Sequence, residues 1–217
     1  MPPLHIRVFT LGDWMTNCHV VHAEDGGPCW IVDAGFDPGD MVKYVADHEL
    51  EPAQIVLTHA HIDHIAGLLE LRAAWPTLPI TIHEDERAFL TDPALNLSGM
   101  LPTPIVAPDA TATVAHGDSL SLQGATFDVI HTPGHSPGGI TLHCAEAAVA
   151  IVGDALFAGS IGRTDFPTSD HQRLMQSLRD LMTLPDETRV LSGHGPETTI
   201  GAERRLNPFV REAGESD

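Results

Sequence analysis

The sequence has one lysine, one tyrosine and three cysteines in 217 residues, and each shortage excludes something. Cys18, Cys29 and Cys144 lie far apart with no CxxC pair, so neither a disulfide framework nor a thiolate metal site fits them, and they read as reduced thiols. No apolar run reaches the roughly 18 to 20 residues that span a bilayer. The start, MPPLHIRVF, has neither the basic patch nor the apolar core of a secretory leader. A cytoplasmic chain without a membrane partner is expected. Positive charge is scarce as well: 11 Lys and Arg stand against 30 Asp and Glu, a net charge of −19 that repels nucleic-acid phosphates and anionic membranes. The expected partner is a small molecule. If that molecule is anionic, it needs a metal ion or a few chosen arginines.

Histidine is what the sequence has in plenty, 14 residues of it, and 42% of the chain is apolar, enough for one domain's core. With no linker or low-complexity segment, a single domain is expected over residues 1–210, followed by a flexible tail over 211–217, REAGESD. Strand-like runs occur at LHIRVFT, CHVVHA, CWIVDAG, QIVLTHA and PITIH, then at SLSLQ, TFDVIHT, GGITLHC, AAVAIVGD and TRVLSGH. Helical spacing covers Pro38 to Glu49. A second helix is expected from Asp63, with Ile65, Leu68, Leu69 and Arg72 in phase and Pro76 ending it, and a third in DHQRLMQSLRDLM, where Leu174, Leu178, Leu181 and Met182 mark one face. Strand-rich halves covered by helices point to an α/β (α+β) sandwich, two packed mixed sheets with helices outside.

The chemistry concentrates in LTHAHIDHIAG, Leu57 to Gly67. His59, His61, Asp63 and His64 follow a strand and precede a helix. In extended chain the alternate residues His59 and His61 face one side and form a chelating pair, while Asp63 and His64 turn away with the helix toward a second position. Three further groups end apolar strands: His135 in HTPGHSPGG, Asp154 in AIVGDALF and His194 in VLSGHGPE. An unmatched polar group at a buried strand end costs several kcal/mol, so a shared ligand is the simplest account of them. Five histidines and two aspartates suffice for two first-row metal ions with Asp154 as a bridge.

These residues carry a resemblance to a known family. THxHxDH, a later His, a Gly-Asp and a final Gly-His resemble the metallo-β-lactamase fold, a four-layer αβ/βα sandwich, over nearly the whole chain. The resemblance implies that His59, His61 and His135 hold one metal, that Asp63, His64 and His194 hold the other, and that Asp154 bridges them. GDALFAGSIGRTDFP and GHGPETTIGAERRLNPF resemble the small, single-domain branch of glyoxalase II-like (hydroxyacylglutathione hydrolase-like) enzymes. A metallo-β-lactamase proper of the common type shows a cysteine near Asp154, and the nearest here is Cys144. A lactonase usually brings an active-site tyrosine, and the only one, Tyr44, lies in an early helix.

The activity so implied is hydrolysis of a thioester such as S-lactoylglutathione. The cofactor is two divalent ions, zinc first with iron or manganese as alternatives, and Asp63 and Asp154 are the carboxylates of the catalytic centre. A water shared by two such ions ionises near pH 7 and supplies the nucleophile, and a thiolate leaving group needs little protonation. Arg163 in GRTDFP is a candidate for the substrate carboxylates, although a structural ion pair with Asp165 accounts for it equally well. The basic C-terminal domain of full-length glyoxalase II is expected to be missing. The alternative within the resemblance is a persulfide dioxygenase, which holds one iron through His59, His135 and Asp154; a lactone or other ester hydrolase is a further one. The remaining histidines read as surface or hydrogen-bonded residues, with His131 and His171 the two to inspect for a place behind the ligands or at the pocket rim, and Cys18 is expected to be a buried thiol.

Overall fold

The computed structural model describes residues 3–215. The chain forms two compact units, one of residues 3–114 with 121–125 and the other of residues 115–120 with 126–215.

The first unit runs β1 (His5–Leu11), β2 (Thr16–His22), β3 (Pro28–Val32), α1 (Gly39–Asp47), β4 (Glu51–Val56), α2 (Ile62–Ile65), α3 (Leu68–Ala74), β5 (Ile80–His83), a 3-10 turn (Glu84–Leu90) and β6 (Ala112–Val114). Its sheet has the order β1-β2-β3-β4-β5-β6. The first three strands are antiparallel neighbours and the last three add in parallel. One core unites Cys18, Val20, Cys29, Ile31, Ile55, Leu57, Ile80 and Ile82 of the strands and their ends with Met41, Val45, Ile65, Leu68 and Leu71 of the helices. The helices therefore cover one sheet face, and α1 does so through residues four apart. The helix expected from Asp63 to Pro76 is two helices. A Cβ on Gly67 would lie 2.3 Å from the Gly35 carbonyl oxygen, and the Gly67 amide donates to Ala34 at 2.8 Å. This close approach of two backbones separates α2 from α3. The buried face of α3 is Leu68 and Leu71, whereas Leu69 is 56% exposed, which corrects its expected place in the core stripe.

Apart from residues 121 and 122 of β7 and residue 125 of β8, which fall in the first unit, the second unit contains β7 (Ser119–Leu122), β8 (Ala125–His131), β9 (Ile140–Cys144), β10 (Val149–Gly153), a small hairpin of β11 (Leu156–Phe157) and β12 (Ser160–Ile161), α4 (His171–Leu181), β13 (Arg189–Ser192), β14 (Thr198–Thr199), α5 (Ile200–Leu206) and α6 (Pro208–Glu215). Its sheet has the order β14-β13-β10-β9-β8-β7 and is also mixed, β10 and β13 running parallel. Leu174, Leu178 and Leu181 of α4 are buried against Ala150, Val152 and Val190, and Met182 packs on their edge. Full burial of each leucine contributes about 1.5 to 3 kcal/mol. The tail expected from Arg211 is helical as far as Glu215. Ala213 of α6 is buried, and its carbonyl accepts a hydrogen bond from Arg179 Nη1 at 2.8 Å; residues 216 and 217 lie outside the described chain. No helix among the described residues is long and apolar enough to cross a membrane.

Candidate metal centre

In the first unit, β4 hands the chain to the loop at residues 57–61 and then to α2. The loop is anchored from outside its own sequence. Glu86, fully buried, accepts the Ala60 amide at 3.0 Å, and the Asn96 carbonyl accepts the Ile62 amide at 2.9 Å. His61 keeps extended geometry at the helix entrance, so His59 and His61 converge as their alternation implies. Each offers a ligand atom within 4.8 Å of the other's, as do His59 with His64 and Asp63 with His64. The His59 and His61 rings meet edge on, 4.8 Å between centroids. Oδ2 of Asp63 lies 3.5 Å from Nε2 of His64.

Asp33, just beyond β3, organises this group, and the sequence reading missed it. Its carboxylate accepts the Thr58 amide at 2.7 Å, the Thr58 hydroxyl at 2.7 Å and Nδ1 of His64 at 2.9 Å. The hydroxyl's single hydrogen is committed to Asp33, so its oxygen is the acceptor for Nδ1 of His59 at 3.2 Å. One buried carboxylate thus sets two tautomers and directs the Nε2 lone pairs of His59 and His64 outward, the arrangement metal-ligating imidazoles require. Asp33 holds a left-handed backbone, φ +62, to do this. A carboxylate ending the apolar run CWIV was the available signal, of the same kind as Asp154 ending AIVG. Nearby, Cys18 accepts the Gly35 amide at 3.1 Å. Burial, with Asp33 as a lesser cause, holds its thiol well above the usual range, so it is inert as a nucleophile.

In the second unit, the loop after β8 folds on itself through a 2.7 Å bond from the Thr132 amide to the Gly139 carbonyl. Gly134 has φ +132, and a Cβ there would lie 2.3 Å from the Leu174 backbone nitrogen, so only glycine lets α4 close on the turn that presents His135. Nδ1 of His135 donates to the Arg163 carbonyl at 2.9 Å, which again places the lone pair on Nε2. Asp154 leaves β10 where the register with β13 shifts and Gly153 takes φ +53. Oδ2 of Asp154 stands 3.6 Å from Nε2 of His135 and 3.5 Å from Nε2 of His194. Gly162 seals the back of this set: a Cβ there would lie 2.0 Å from the Asp154 carbonyl and 3.0 Å from the His135 ring.

The expected ligands therefore assemble as two half-sets, His59, His61, Asp63 and His64 in one unit and His135, Asp154 and His194 in the other. Nitrogen and carboxylate oxygen with no thiolate suit zinc, iron and manganese alike, so the residues present fit divalent first-row ions. The Arg163 side chain makes a two-pronged bond with Asp165, both contacts at 2.7 Å, and lies 4.4 Å over the Phe166 ring. It is the backbone of Arg163 that meets this set of side chains, through its carbonyl's bond to His135. His131 donates through Nε2 to the Pro137 carbonyl at 2.9 Å and lines a cavity of about 410 Å³ with His116, Arg173 and Asp180. His171 lies 3.2 Å from the Thr164 hydroxyl.

Two mixed sheets, each ending in a half-set of histidines and aspartates, define the architecture of a metallo-hydrolase. The chain belongs to the metallo-beta-lactamase superfamily, whose family model matches residues 11–194. Among curated relatives it is 38% identical to a probable metallo-hydrolase, YqgX of Bacillus subtilis, over 94% of this chain and 96% of the relative. It is 31% identical to the hydroxyacylglutathione hydrolase GloC of Haemophilus influenzae, over 95% and 98%. Among solved structures it superposes on the BLEG-1 B3 metallo-beta-lactamase with a TM-score of 0.89 at 40% identity, covering 95% of this chain and 99% of that one. It superposes on TTHA1623 in a di-iron-bound form with a TM-score of 0.83 at 36% identity, covering 94% and 99%. The fold is thus the metallo-β-lactamase fold the motifs implied.

Proposed function

We propose that the protein is a binuclear metal-dependent hydrolase of thioesters, with acylglutathiones such as S-lactoylglutathione as its substrates. In this reading His59, His61 and His135 form one metal position, Asp63, His64 and His194 the other, and Asp154 is shared. Counting ligands supports the assignment. Four and three residues make neither two complete shells nor one closed structural site, but seven with one shared carboxylate give four protein ligands to each of two ions. The observation that carries most weight is that Asp154 Oδ2 lies 3.6 Å from Nε2 of His135 and 3.5 Å from Nε2 of His194.

When bound, the ions supply an activated water and polarise the substrate carbonyl. The chain's own part is to hold their ligands still: Asp33 and the Arg163 carbonyl fix imidazole tautomers, while Glu86 pins the loop. The thioester preference rests on full-length similarity to GloC and on the leaving group, a thiolate that departs near neutral pH with little protonation. Three buried free cysteines suit a reducing compartment, which favours the cytoplasm. Zinc is the first candidate metal, and the di-iron relative makes iron the next to test.

The similarity to a B3 metallo-beta-lactamase, at the higher identity, supports a second reading with β-lactams as substrates. A panel of S-lactoylglutathione, other acylglutathiones, simple lactones and β-lactams separates the two, run with wild type and with His59→Ala and Asp154→Ala. The thioester proposal expects turnover of acylglutathiones that both substitutions abolish. Turnover confined to β-lactams, or variants that keep wild-type thioesterase rates, would refute it.

A further inference from the structure

We propose that Thr16 is a positioning residue whose hydroxyl fixes the rotation of the Asp63 carboxylate, and that it thereby governs how tightly the Asp63 metal position binds its ion. The inference rests on the binuclear reading above. Thr16 opens β2 and is almost fully buried, 1% exposed, 47 residues away in sequence from its partner. Its Oγ1 donates to Oδ2 of Asp63 at 2.9 Å, the oxygen that also lies 3.5 Å from Nε2 of His64. The second torsion of an aspartate is broad and roughly two-fold, so nothing intrinsic to Asp63 decides how its two oxygens point. The hydrogen bond from Thr16 favours one of these orientations.

The donor is as rigid as a side chain can be made. Threonine is stiff at χ1, and its backbone is locked in register opposite Leu11. The preceding turn closes through a 3.1 Å bond from the Met15 amide to the Gly12 carbonyl. Met15 holds φ +56, a conformation a non-glycine residue adopts only when its surroundings enforce it. In the same strand opening, Thr10 donates to Asn17 at 2.9 Å, so the neighbouring polar side chains have partners of their own and Thr16 is directed to Asp63. Different side chains are thus ordered by different devices: Asp33 orders His59 and His64 through their tautomers, and Thr16 orders Asp63 through one hydroxyl.

Stepwise metal binding by the full-length protein, measured by titrating the metal-free form with Zn(II) and in parallel with Co(II), whose visible spectrum reports coordination, tests this. Thr16→Val keeps the shape and removes the hydroxyl. The expected result is affinity for the second equivalent lowered about 10- to 100-fold, an altered Co(II) spectrum for that equivalent, and an unchanged first equivalent. Thr16→Ser retains the hydroxyl and binds both equivalents nearly as wild type. Thr16→Ala binds the second one as weakly as Thr16→Val, and this Ser and Ala pair, equal in lost packing, decides the matter if the valine variant fails to fold. Two equivalents bound by wild type with no difference between the serine and alanine variants overturns the role of Thr16 and leaves the binuclear reading standing. A wild type that binds a single equivalent overturns the binuclear reading and this inference with it.

Discussion

Replacing Asp33 separates the stability of the site from its chemistry. Asp33 is 1% exposed and accepts three hydrogen bonds, from the Thr58 amide, the Thr58 hydroxyl and Nδ1 of His64. Alanine leaves all three donors buried, each costing about 1 to 3 kcal/mol. With partial relief by water, a loss of about 4 kcal/mol is expected, which lowers the melting temperature of a chain this size by roughly 8 to 16 °C. Asparagine tolerates the φ of +62 and still accepts the Thr58 amide, but it turns an NH2 group toward Thr58 Oγ1 and His64 Nδ1. The hydroxyl rotates to accept. His64 adapts only by moving its proton to Nε2, the atom needed for the metal. Asp33→Asn should therefore lose only about 1 to 2 kcal/mol, yet lose metal affinity by about 10- to 100-fold, as much as Asp33→Ala. Thermal melts of the metal-free proteins and competition titrations with a chelating dye measure the two quantities. An asparagine variant with wild-type metal affinity would refute the tautomer argument.

Gly162→Ala should weaken metal binding severely, because its Cβ meets the Asp154 carbonyl and the His135 ring, and elemental analysis of the purified variant reads the loss. Arg163→Ala should leave both metal content and the melting temperature unchanged, since its side chain is an exposed partner of Asp165 and its carbonyl stays in place to hold His135; a raised KM for acylglutathiones would mark it as a substrate contact. Acid should destabilise the metal-free protein through His19. This residue is 1% exposed, neither ring nitrogen has a hydrogen-bond partner among the described residues, and burial pushes its pKa down from 6.5 to about 4. The native state prefers it neutral, so its contribution, about 3 kcal/mol from the shift, is fully present above pH 6.5 and disappears as the pH falls through 4. Chemical denaturation between pH 7 and 4 should show a steeper loss for wild type than for His19→Leu, and equal slopes would remove His19 from the account.

The candidate residues were legible because metal-binding patterns are local: HxHxDH is one loop, and His135, Asp154 and His194 each end an apolar run at a glycine-rich turn. The groups that orient those side chains were not. Asp33 acts on His64 from 31 residues away, Thr16 on Asp63 from 47 and Glu86 on Ala60 from 26, and no spacing rule connects such pairs. Asp33 could still have been flagged by the reasoning applied to Asp154, that a carboxylate ending a buried strand needs partners. Elements were read well where periodicity ran long, as in α4. They were missed where it was short: the 3-10 turn at Glu84–Leu90, strand β6, the β11 and β12 hairpin, and α6, whose start at Pro208 was the one local signal. The split at Gly67 depends on a tertiary contact with Gly35 and has no local signature.

The central claim is that two ions acting together hydrolyse a thioester, and it is tested most directly by adding metal stepwise to the metal-free protein while recording hydrolysis of S-lactoylglutathione. The account predicts two ions bound per chain, with activity rising as the second equivalent is filled. One iron per chain, with oxygen uptake on glutathione persulfide and no thioester hydrolysis at any metal loading, would contradict it.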